Sequence, residues 1–204
     1  LLIHLGMSGA IRLYDKKPNF AKHDHFSVEL TSGQWFVFSD PRRFGHLDLF
    51  PSAFTHTHPL LSGLGVEPLS EAFTDILLTS IMKGRKAPIK SALLDQRLIA
   101  GLGNIYVSEA LFRAGISPRR KAGTIAGQRA QRLTKAIKTV LIEAIDAGGT
   151  SLRDHIQPGG DIGYFAQNLR VYGQAGRDCL DCGQMLKQII QSGRSSFYCP
   201  SCQR

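Results

Sequence analysis

The stretch Cys179-Leu180-Asp181-Cys182, followed after sixteen residues by Cys199-Pro200-Ser201-Cys202, decides the fold of the C-terminal end of this chain. Two C-x2-C pairs at this separation, joined by a β-hairpin, bring four thiolates to the corners of a tetrahedron. The pattern predicts one structural Zn²⁺ per chain, with all four ligands from the protein: Cys179, Cys182, Cys199 and Cys202. Two disulfides or a redox C-x-x-C are the alternatives, and neither explains the duplicated spacing.

The composition narrows the class of protein. The chain has 204 residues, 43% of them hydrophobic, and a formal net charge of +9 from 25 Lys and Arg against 16 Asp and Glu. The cysteines cluster at one end, which disfavours a disulfide-stapled secreted fold. We find neither a signal-peptide pattern nor the ~20 consecutive apolar residues of a membrane helix. The composition therefore predicts a soluble globular protein whose charge favours a polyanion, although a generically basic protein would look the same.

The first part of the chain, up to about residue 60, carries the signals of β-strands. β-favouring residues alternate or cluster in four segments, and the turn Thr31-Ser32-Gly33 between the second and third indicates a hairpin. The segments are residues 9–13, 26–30, 35–39 and 46–50. They predict a sheet or sandwich that lacks its N-terminal strands.

From Glu71 onward the apolar spacing becomes helical. Four amphipathic segments with short connections predict a small helical bundle. These segments are residues 73–82, 89–98, 104–114 and 126–147. The fold class we expect is α+β multidomain, with an incomplete N-terminal β-sandwich, a helical bundle and a C-terminal zinc-finger β-hairpin.

Two loops in the strand-rich part hold side chains suited to opening a duplex. Segment 40–45 (DPRRFG) places Arg42 and Phe44 after a strand, so that charge can hold phosphates while the ring wedges into a base stack. Segment 4–9 (HLGMSG) presents Met7 on a glycine-rich turn. In the ordinary structural interpretation, Phe44 and Met7 fill the core and the arginines are surface residues.

Other segments fit phosphate binding. In segment 101–106 (GLGNIY), backbone amides can approach an anion, and Asn104 can cap the helix while donating to a phosphate. Arg194 at the predicted hairpin tip has a planar fork that matches phosphate. The basic run 83–90 (KGRKAPIK) and His23 are also candidates. Each has an alternative. Segment 101–106 could be a simple helix connection, Arg194 a solvated turn residue, the basic run a solvated face, and His23 part of a weak H-x-H metal pair.

The order of these segments closely resembles the bacterial formamidopyrimidine-DNA glycosylase family. The resemblance covers essentially the whole chain. It rests on HLGMSG at 4–9, DPRRFG at 40–45, KSALLDQ at 90–96, GLGNIY at 101–106, GYFAQ at 163–167, and the cysteine quartet with Arg194.

The resemblance implies a domain organisation and a partner. Residues 1–60 would be the C-terminal part of a catalytic β-sandwich, and 70–150 a helix–two-turn–helix DNA-binding domain. Residues 151–170 would hold the loop that caps the lesion, and 171–204 the zinc finger. The implied partner is double-stranded damaged DNA, bound between domains by a monomer in the bacterial cytoplasm, associated with the nucleoid and without a membrane.

The resemblance also implies residue roles. Met7, Arg42 and Phe44 would enter the duplex when the damaged nucleotide flips out, which fills the void and wedges the bases. Arg194 would hold the phosphates beside the lesion and donate the proton of the δ elimination. The remaining DNA-binding residues would be His23, Arg85, Lys86, Lys90, Asn104 and Tyr164.

The implied activity is that of a base-excision repair glycosylase with apurinic/apyrimidinic lyase activity, which removes 8-oxoguanine and formamidopyrimidines. Family members use the amine of an N-terminal proline, which forms a Schiff base with the sugar. No such Pro-Glu start precedes segment 4–9, so we expect a fragment that lacks its N-terminal catalytic segment. A non-catalytic binder of damaged or abasic DNA is the alternative. A zinc ribbon acting in transcription or on RNA would leave segments 40–45 and 90–106 unexplained.

Overall fold

The computed structural model describes residues 1–150 and 164–204, and these divide into two compact units. Unit 1 comprises Leu1–His58 and Ala144–Gln167, and unit 2 comprises Pro59–Glu143 and Asn168–Arg204. The predicted lesion-capping loop lies largely outside the described residues, because only 164–170 of it are described. Among the described helices, none combines the length and the apolar content needed to cross a membrane.

The strands of unit 1 form two antiparallel sheets, one pairing β1 with β5 and the other in the order β2-β4-β3. The hairpin predicted around residues 31–33 is confirmed, since Leu30 N donates to Gln34 O at 2.8 Å. Val37 and Phe38 of the central strand β4 are buried. Packing of the two sheets as a sandwich stays a prediction. The strands are β1 (Leu2–His4), β2 (Ala10–Tyr14), β3 (Asp24–Glu29), β4 (Trp35–Ser39) and β5 (His46–Asp48).

Helices dominate unit 2, as the apolar spacing predicted. Thr74 caps the first helix, because its hydroxyl accepts from Leu77 N at 3.1 Å. In the longest helix, Leu133, Ile137 and Val140 recur at helical spacing and are fully buried. The helices are α1 (Asp75–Met82), α2 (Ile89–Leu93), α3 (Asn104–Arg113) and α4 (Gln128–Asp146), the last of which ends in unit 1.

Helix α2 is shorter than its apolar pattern predicted, since it ends at Leu93 rather than near residue 98. The cause is the side chain of Asp95, whose Oδ1 accepts from Arg97 N at 3.1 Å and from Arg97 Nε at 2.9 Å. Asp favours such local bonds, which compete with helix continuation. Ile99 and Ala100, which follow this segment, are still buried, Ile99 in an isolated β-bridge to Val66 and Ala100 in a turn.

The zinc-finger hairpin consists of β6 (Lys187–Gln191) and β7 (Arg194–Tyr198). Ser192 and Gly193 form its turn with φ of 49° and 73°, the left-handed pair of a type I′ turn. Arg194 is therefore the first residue of β7, paired with Gln191, rather than the tip itself.

The hairpin shares a core with the helices. Phe112 of α3 packs in one buried cluster with Val171, Leu186 and Phe197, together with the buried cysteines Cys179 and Cys199. The family resemblance implied that residues 171–204 form a separate domain, and that division remains a proposal. The shared core fixes the hairpin to α3 within unit 2.

Candidate nucleic-acid interface

Four cysteine sulfurs converge beside the β6–β7 hairpin. All four are unbridged, and their Sγ atoms lie within 4.8 Å of one another. The Sγ atoms of Cys182 and Cys199 are 3.5 Å apart, and those of Cys179 and Cys202 are 3.9 Å apart. A tetrahedral Zn²⁺ with Zn–S bonds of about 2.3 Å holds its sulfurs about 3.8 Å apart. The residues present therefore fit a structural zinc ion.

The ionisation of these thiols also favours a cation. The backbone amide of Gln184 stabilises the thiolate of Cys182 and lowers its pKa to about 7. The adjacent Cys182 sulfur in turn raises the pKa of Cys202. One thiolate thus suppresses the next, and a dication among the four would remove that repulsion.

The carbonyl of Ser195, the residue after Arg194, accepts hydrogen bonds from two helices. Lys90 Nζ of α2 donates to it at 2.6 Å, and Asn104 Nδ2 of α3 donates at 3.1 Å. Lys90 Nζ also donates to Ser196 Oγ at 2.7 Å, and the side chain of Lys90 is almost fully buried. Two of the predicted phosphate binders therefore hold the strand that carries the third, Arg194.

The prediction that Asn104 caps α3 is wrong. Gly103 occupies the N-cap position without a side-chain cap. Asn104 instead donates through Nδ2 to Ser195 O and, at 3.4 Å, to Tyr172 Oη. Its Oδ1 is buried and has no hydrogen-bond partner among the described residues. In this conformation Asn104 organises β7 instead of offering a free donor.

Lys90 and Arg194 are held close enough to repel each other. Burial lowers the pKa of Lys90 to about 8, and the positive charge of Arg194 lowers it too. Arg194 itself is exposed to solvent. An anion bound beside both cations would relieve their repulsion and replace part of the hydration that Lys90 has lost.

A buried carboxylate fixes the chain beside this cluster. Glu109 of α3 is fully buried, and its Oε1 accepts from Val171 N at 3.0 Å and from Tyr172 N at 2.8 Å. Its Oε2 accepts from Arg170 N at 3.0 Å. Tyr172 then reaches Asn104 through its hydroxyl and packs edge-on against Phe197 of β7, with ring centroids 5.0 Å apart. Glu109 thus anchors the segment that supports both Asn104 and the hairpin.

In unit 1, Asp40 ties the two duplex-opening loops together. Its Oδ1 accepts from Ser8 Oγ at 2.6 Å, and its Oδ2 accepts from Gly45 N at 2.6 Å. The hydrogen bond from Ser8, followed by those from backbone amides, lowers the pKa of this buried carboxyl. The loops also touch directly, because a Cβ on Gly6 would lie 2.6 Å from the carbonyl carbon of Phe44.

The side chains carried by these loops face solvent. Met7 is 66% exposed and Phe44 is 57% exposed, which excludes the interpretation that they fill the core. The Arg42 guanidinium lies 4.9 Å from the centroid of the Phe44 ring. An apolar filler, a ring and a cation are therefore presented together on two braced loops.

The other predicted residues are more dispersed. His23 is exposed beside the Asp40 loop, since its carbonyl accepts from Asp40 N at 2.9 Å. Arg85 and Lys86 are exposed between α1 and α2, and Arg85 Nε donates to Ile81 O at 2.7 Å. Tyr164 is 64% exposed in unit 1. Their contact with DNA stays a prediction.

Sequence reasoning missed Glu109, Tyr172 and the organising role of Asp40. A signal existed for Glu109, a charged residue among the buried positions Val107, Ala110 and Leu111 of one helix. Tyr172 has no local signal, because its importance comes from contacts with residues 68 and 25 positions away in the chain.

Comparisons with known families match three segments of the chain. Residues 1–47 match the formamidopyrimidine-DNA glycosylase N-terminal domain, and residues 64–155 match the H2TH domain of the same enzyme. Residues 178–204 match the zinc finger found in FPG and IleRS. The expectation that the N-terminal catalytic segment is absent is not confirmed, since the N-terminal domain match begins at residue 1.

Individual proteins agree with these matches. The formamidopyrimidine-DNA glycosylases of Dinoroseobacter shibae and Jannaschia sp. are each 51% identical, with 100% of this chain and 76% of each relative covered. The crystal structure of MutM (FPG) from Thermus thermophilus superimposes with a TM-score of 0.87 at 42% identity, covering 98% of this chain and 74% of that one. Lactococcus lactis Fpg, in complex with DNA that contains an abasic site, gives a TM-score of 0.89 at 32% identity over 99% and 74% of the two chains. The chain belongs to the formamidopyrimidine-DNA glycosylase family.

Proposed function

We propose that this protein acts in base-excision repair, as a glycosylase and apurinic/apyrimidinic lyase on double-stranded DNA that contains oxidised purines. The curated relatives carry the name formamidopyrimidine-DNA glycosylase, and related solved structures hold DNA with an abasic site or with Fapy-dG. The substrates we assign are 8-oxoguanine and formamidopyrimidines.

The observation that carries this proposal is the cluster around Ser195. It sets the buried ammonium of Lys90 beside the exposed guanidinium of Arg194, near the N-terminus of α3. The first turn of a helix has N–H groups without intrahelical acceptors and a positive dipole end, so it adds to the attraction for a phosphate. The phosphates flanking a distorted nucleotide are ligands of suitable charge for such a cluster.

The exposed loops of unit 1 suit the distortion itself. Extruding a nucleotide costs a few kcal/mol of stacking and pairing. Met7 and Phe44 offer apolar surface for the vacated space, and Arg42 offers a cation for the unpaired base. We propose that Asp40 keeps both loops in this arrangement, and that His23, Arg85, Lys86 and Tyr164 add contacts to the backbone or the lesion.

The zinc ion, one per chain, would be held by the four cysteines in a closed structural site. Bound there, it would supply a cross-link rather than a reactive water. That cross-link would hold both ends of the hairpin, while Lys90 and Asn104 hold Ser195 next to Arg194. We propose that the monomer binds DNA with this hairpin already in place.

For the chemistry we propose that an amine attacks the sugar C1′ as its bond to the damaged base breaks. Opening of the sugar at C1′–O4′ then gives the Schiff base, and loss of a C2′ proton expels the 3′ phosphate, which cleaves the strand. A proline at the N-terminus of the full-length protein is the nucleophile that the family resemblance implies. Arg194 would hold the departing phosphate through hydrogen bonds and charge. The δ-elimination proton donor role of Arg194 remains a prediction.

Borohydride trapping tests the proposal. The protein is incubated with an 8-oxoguanine duplex, with an abasic duplex and with an undamaged duplex of the same sequence. We expect a covalent protein–DNA adduct on the damaged duplexes only. If no adduct forms but the protein prefers the abasic duplex, it is a non-catalytic binder of damaged DNA. No preference for damaged over undamaged duplex would overturn both interpretations.

A further inference from the structure

A basic cavity in unit 2 lies outside the cluster described above. It has a volume of about 470 Å³ and is lined by Ser117, Arg119, Arg120, Lys121 and Thr124. The lining therefore holds three cations and no Asp or Glu, and its two hydroxyls already hydrogen-bond to the backbone of the same segment. Across residues 1–150 and 164–204, none of these three cations pairs with an Asp or Glu side chain, although Arg120 already donates to the backbone oxygen of Arg204, the last residue of the sequence.

The segment that forms this cavity, residues 117–124, is held rigidly against the start of α2. Ile89 N donates to Arg120 O at 2.7 Å, and Ala122 N donates to Ala87 O at 2.9 Å. Arg120 Nε donates to Arg204 O at 3.1 Å, and a guanidinium has further N–H donors beyond that one. The backbone that carries the three cations is thus already ordered by hydrogen bonds, so less backbone entropy is lost when an anion binds.

The cavity is linked to the Arg194 cluster through Pro118, the residue before Arg119. The carbonyl of Pro118 accepts from Gln191 Nε2 at 3.3 Å, and Gln191 is the cross-strand partner of Arg194. Pro118 O also accepts from Lys90 N at 3.5 Å. One peptide group therefore connects the cavity to Lys90 and to the strand opposite Arg194.

We infer that this cavity is a second phosphate-binding site, which takes a backbone phosphate of the same DNA on one flank of the lesion. The inference rests on the proposed DNA-binding function and extends its footprint. The proposed function places a phosphodiester strand at the adjacent cluster. Gln191 joins the two sites, because it pairs with Arg194 and its side chain donates to Pro118 O beside the cavity, so one strand can reach both. A free phosphate would meet the same chemistry, so the test must separate the two sources.

The test compares Arg119→Gln/Lys121→Gln with wild type in the full-length, zinc-loaded protein. Dissociation constants for an abasic-analogue duplex are measured over a range of salt concentrations. Each lost phosphate contact lowers the slope of log K against log salt by about 0.9, so we expect a decrease of about 1 to 2 and a roughly five- to ten-fold weaker Kd. Lys16→Gln/Lys17→Gln, which removes two exposed lysines of unit 1, is the control for an equal loss of charge.

Duplex length identifies the source of the phosphate. Duplexes are shortened from either end, and the wild-type and variant proteins should become equal when one particular flank is removed. Equal affinities of variant and wild type on the long duplex, at every salt concentration, would overturn the inference. So would a difference that survives removal of either flank, or inorganic phosphate that binds the cavity without competing with DNA. If wild type itself fails to bind the abasic duplex, the proposed function fails instead.

Discussion

Replacing Glu109 by Gln perturbs the support of the Arg194 cluster without touching a residue that we place on DNA. The carboxylate accepts three backbone N–H groups, two at Oε1 and one at Oε2. A Gln side chain keeps one carbonyl oxygen, and its NH2 group replaces the other carboxylate oxygen. The backbone N–H that faces this NH2 group, either that of Arg170 or those of Val171 and Tyr172, then loses its acceptor inside unit 2.

The magnitude follows from the hydrogen bonds that are lost. A hydrogen bond to a charged group contributes about 1.5–3 kcal/mol, and a buried donor left without a partner costs about 1–3 kcal/mol. We therefore expect Glu109→Gln to lower the free energy of unfolding by about 2–4 kcal/mol. The matched control is Glu67→Gln, an exposed glutamate of unit 2, which should change it by less than about 0.5 kcal/mol.

Urea unfolding at fixed zinc concentration measures the stability, and hydrogen exchange of the amides of residues 170–172 measures the contact itself. We expect those three amides to exchange faster in Glu109→Gln than in wild type and in Glu67→Gln. Equal stability of the two variants, with unchanged protection at residues 170–172, would refute the reasoning.

Three further results are expected. DNA affinity should fall as pH rises through about 8, because Lys90 then loses its charge. Lys90→Arg should abolish this fall, whatever its effect on affinity at neutral pH. Dissociation constants measured over a pH series test both expectations. The lowered pKa of Asp40 means that its carboxylate stabilises the fold above the pKa of the unfolded chain and that this stability is lost as pH falls through the folded value. Asp40→Asn should therefore cost about 1–3 kcal/mol at neutral pH and progressively less on acidification, as followed by urea unfolding at several pH values. Removal of zinc by a chelator should release one equivalent of metal and abolish binding of an abasic duplex, whereas zinc retained in Cys199→Ser at the wild-type ratio would contradict the four-thiolate site.

Four of the five strands of unit 1 were predicted from clusters of β-favouring residues, whereas β1 (Leu2–His4) was not. Three of the four helices were predictable from their apolar period, as in α4, where the buried residues Leu133, Ile137 and Val140 recur at helical spacing. The end of α2 was not predictable in this way. Apolar residues continue to residue 98, and a side-chain hydrogen bond of Asp95 decides where the helix stops.

In the candidate site, too, local motifs were predictable and contacts between distant residues were not. The cysteine spacing predicted the metal centre, because all four ligands lie in two short motifs of fixed spacing. The order of the motifs identified Lys90 and Arg194. It did not predict the hydrogen bond from Lys90 to Ser195, because these residues lie 105 positions apart in the sequence. The predicted cap at Asn104 was wrong, because local rules favour a cap at a helix start, whereas an acceptor on β7 that is distant in sequence takes its amide; its contact with phosphate stays a prediction.

The central claim is that the zinc hairpin, held by Lys90 and Asn104, presents Arg194 to the phosphates beside a lesion. Its most direct test is the affinity of Arg194→Ala for an abasic-analogue duplex, with zinc content matched to wild type and with Arg177→Ala, another exposed arginine of the zinc finger, as control. We predict a loss of roughly 1–3 kcal/mol for Arg194→Ala and a much smaller loss for Arg177→Ala. An unchanged dissociation constant for Arg194→Ala, in a protein that retains its zinc, would contradict the account.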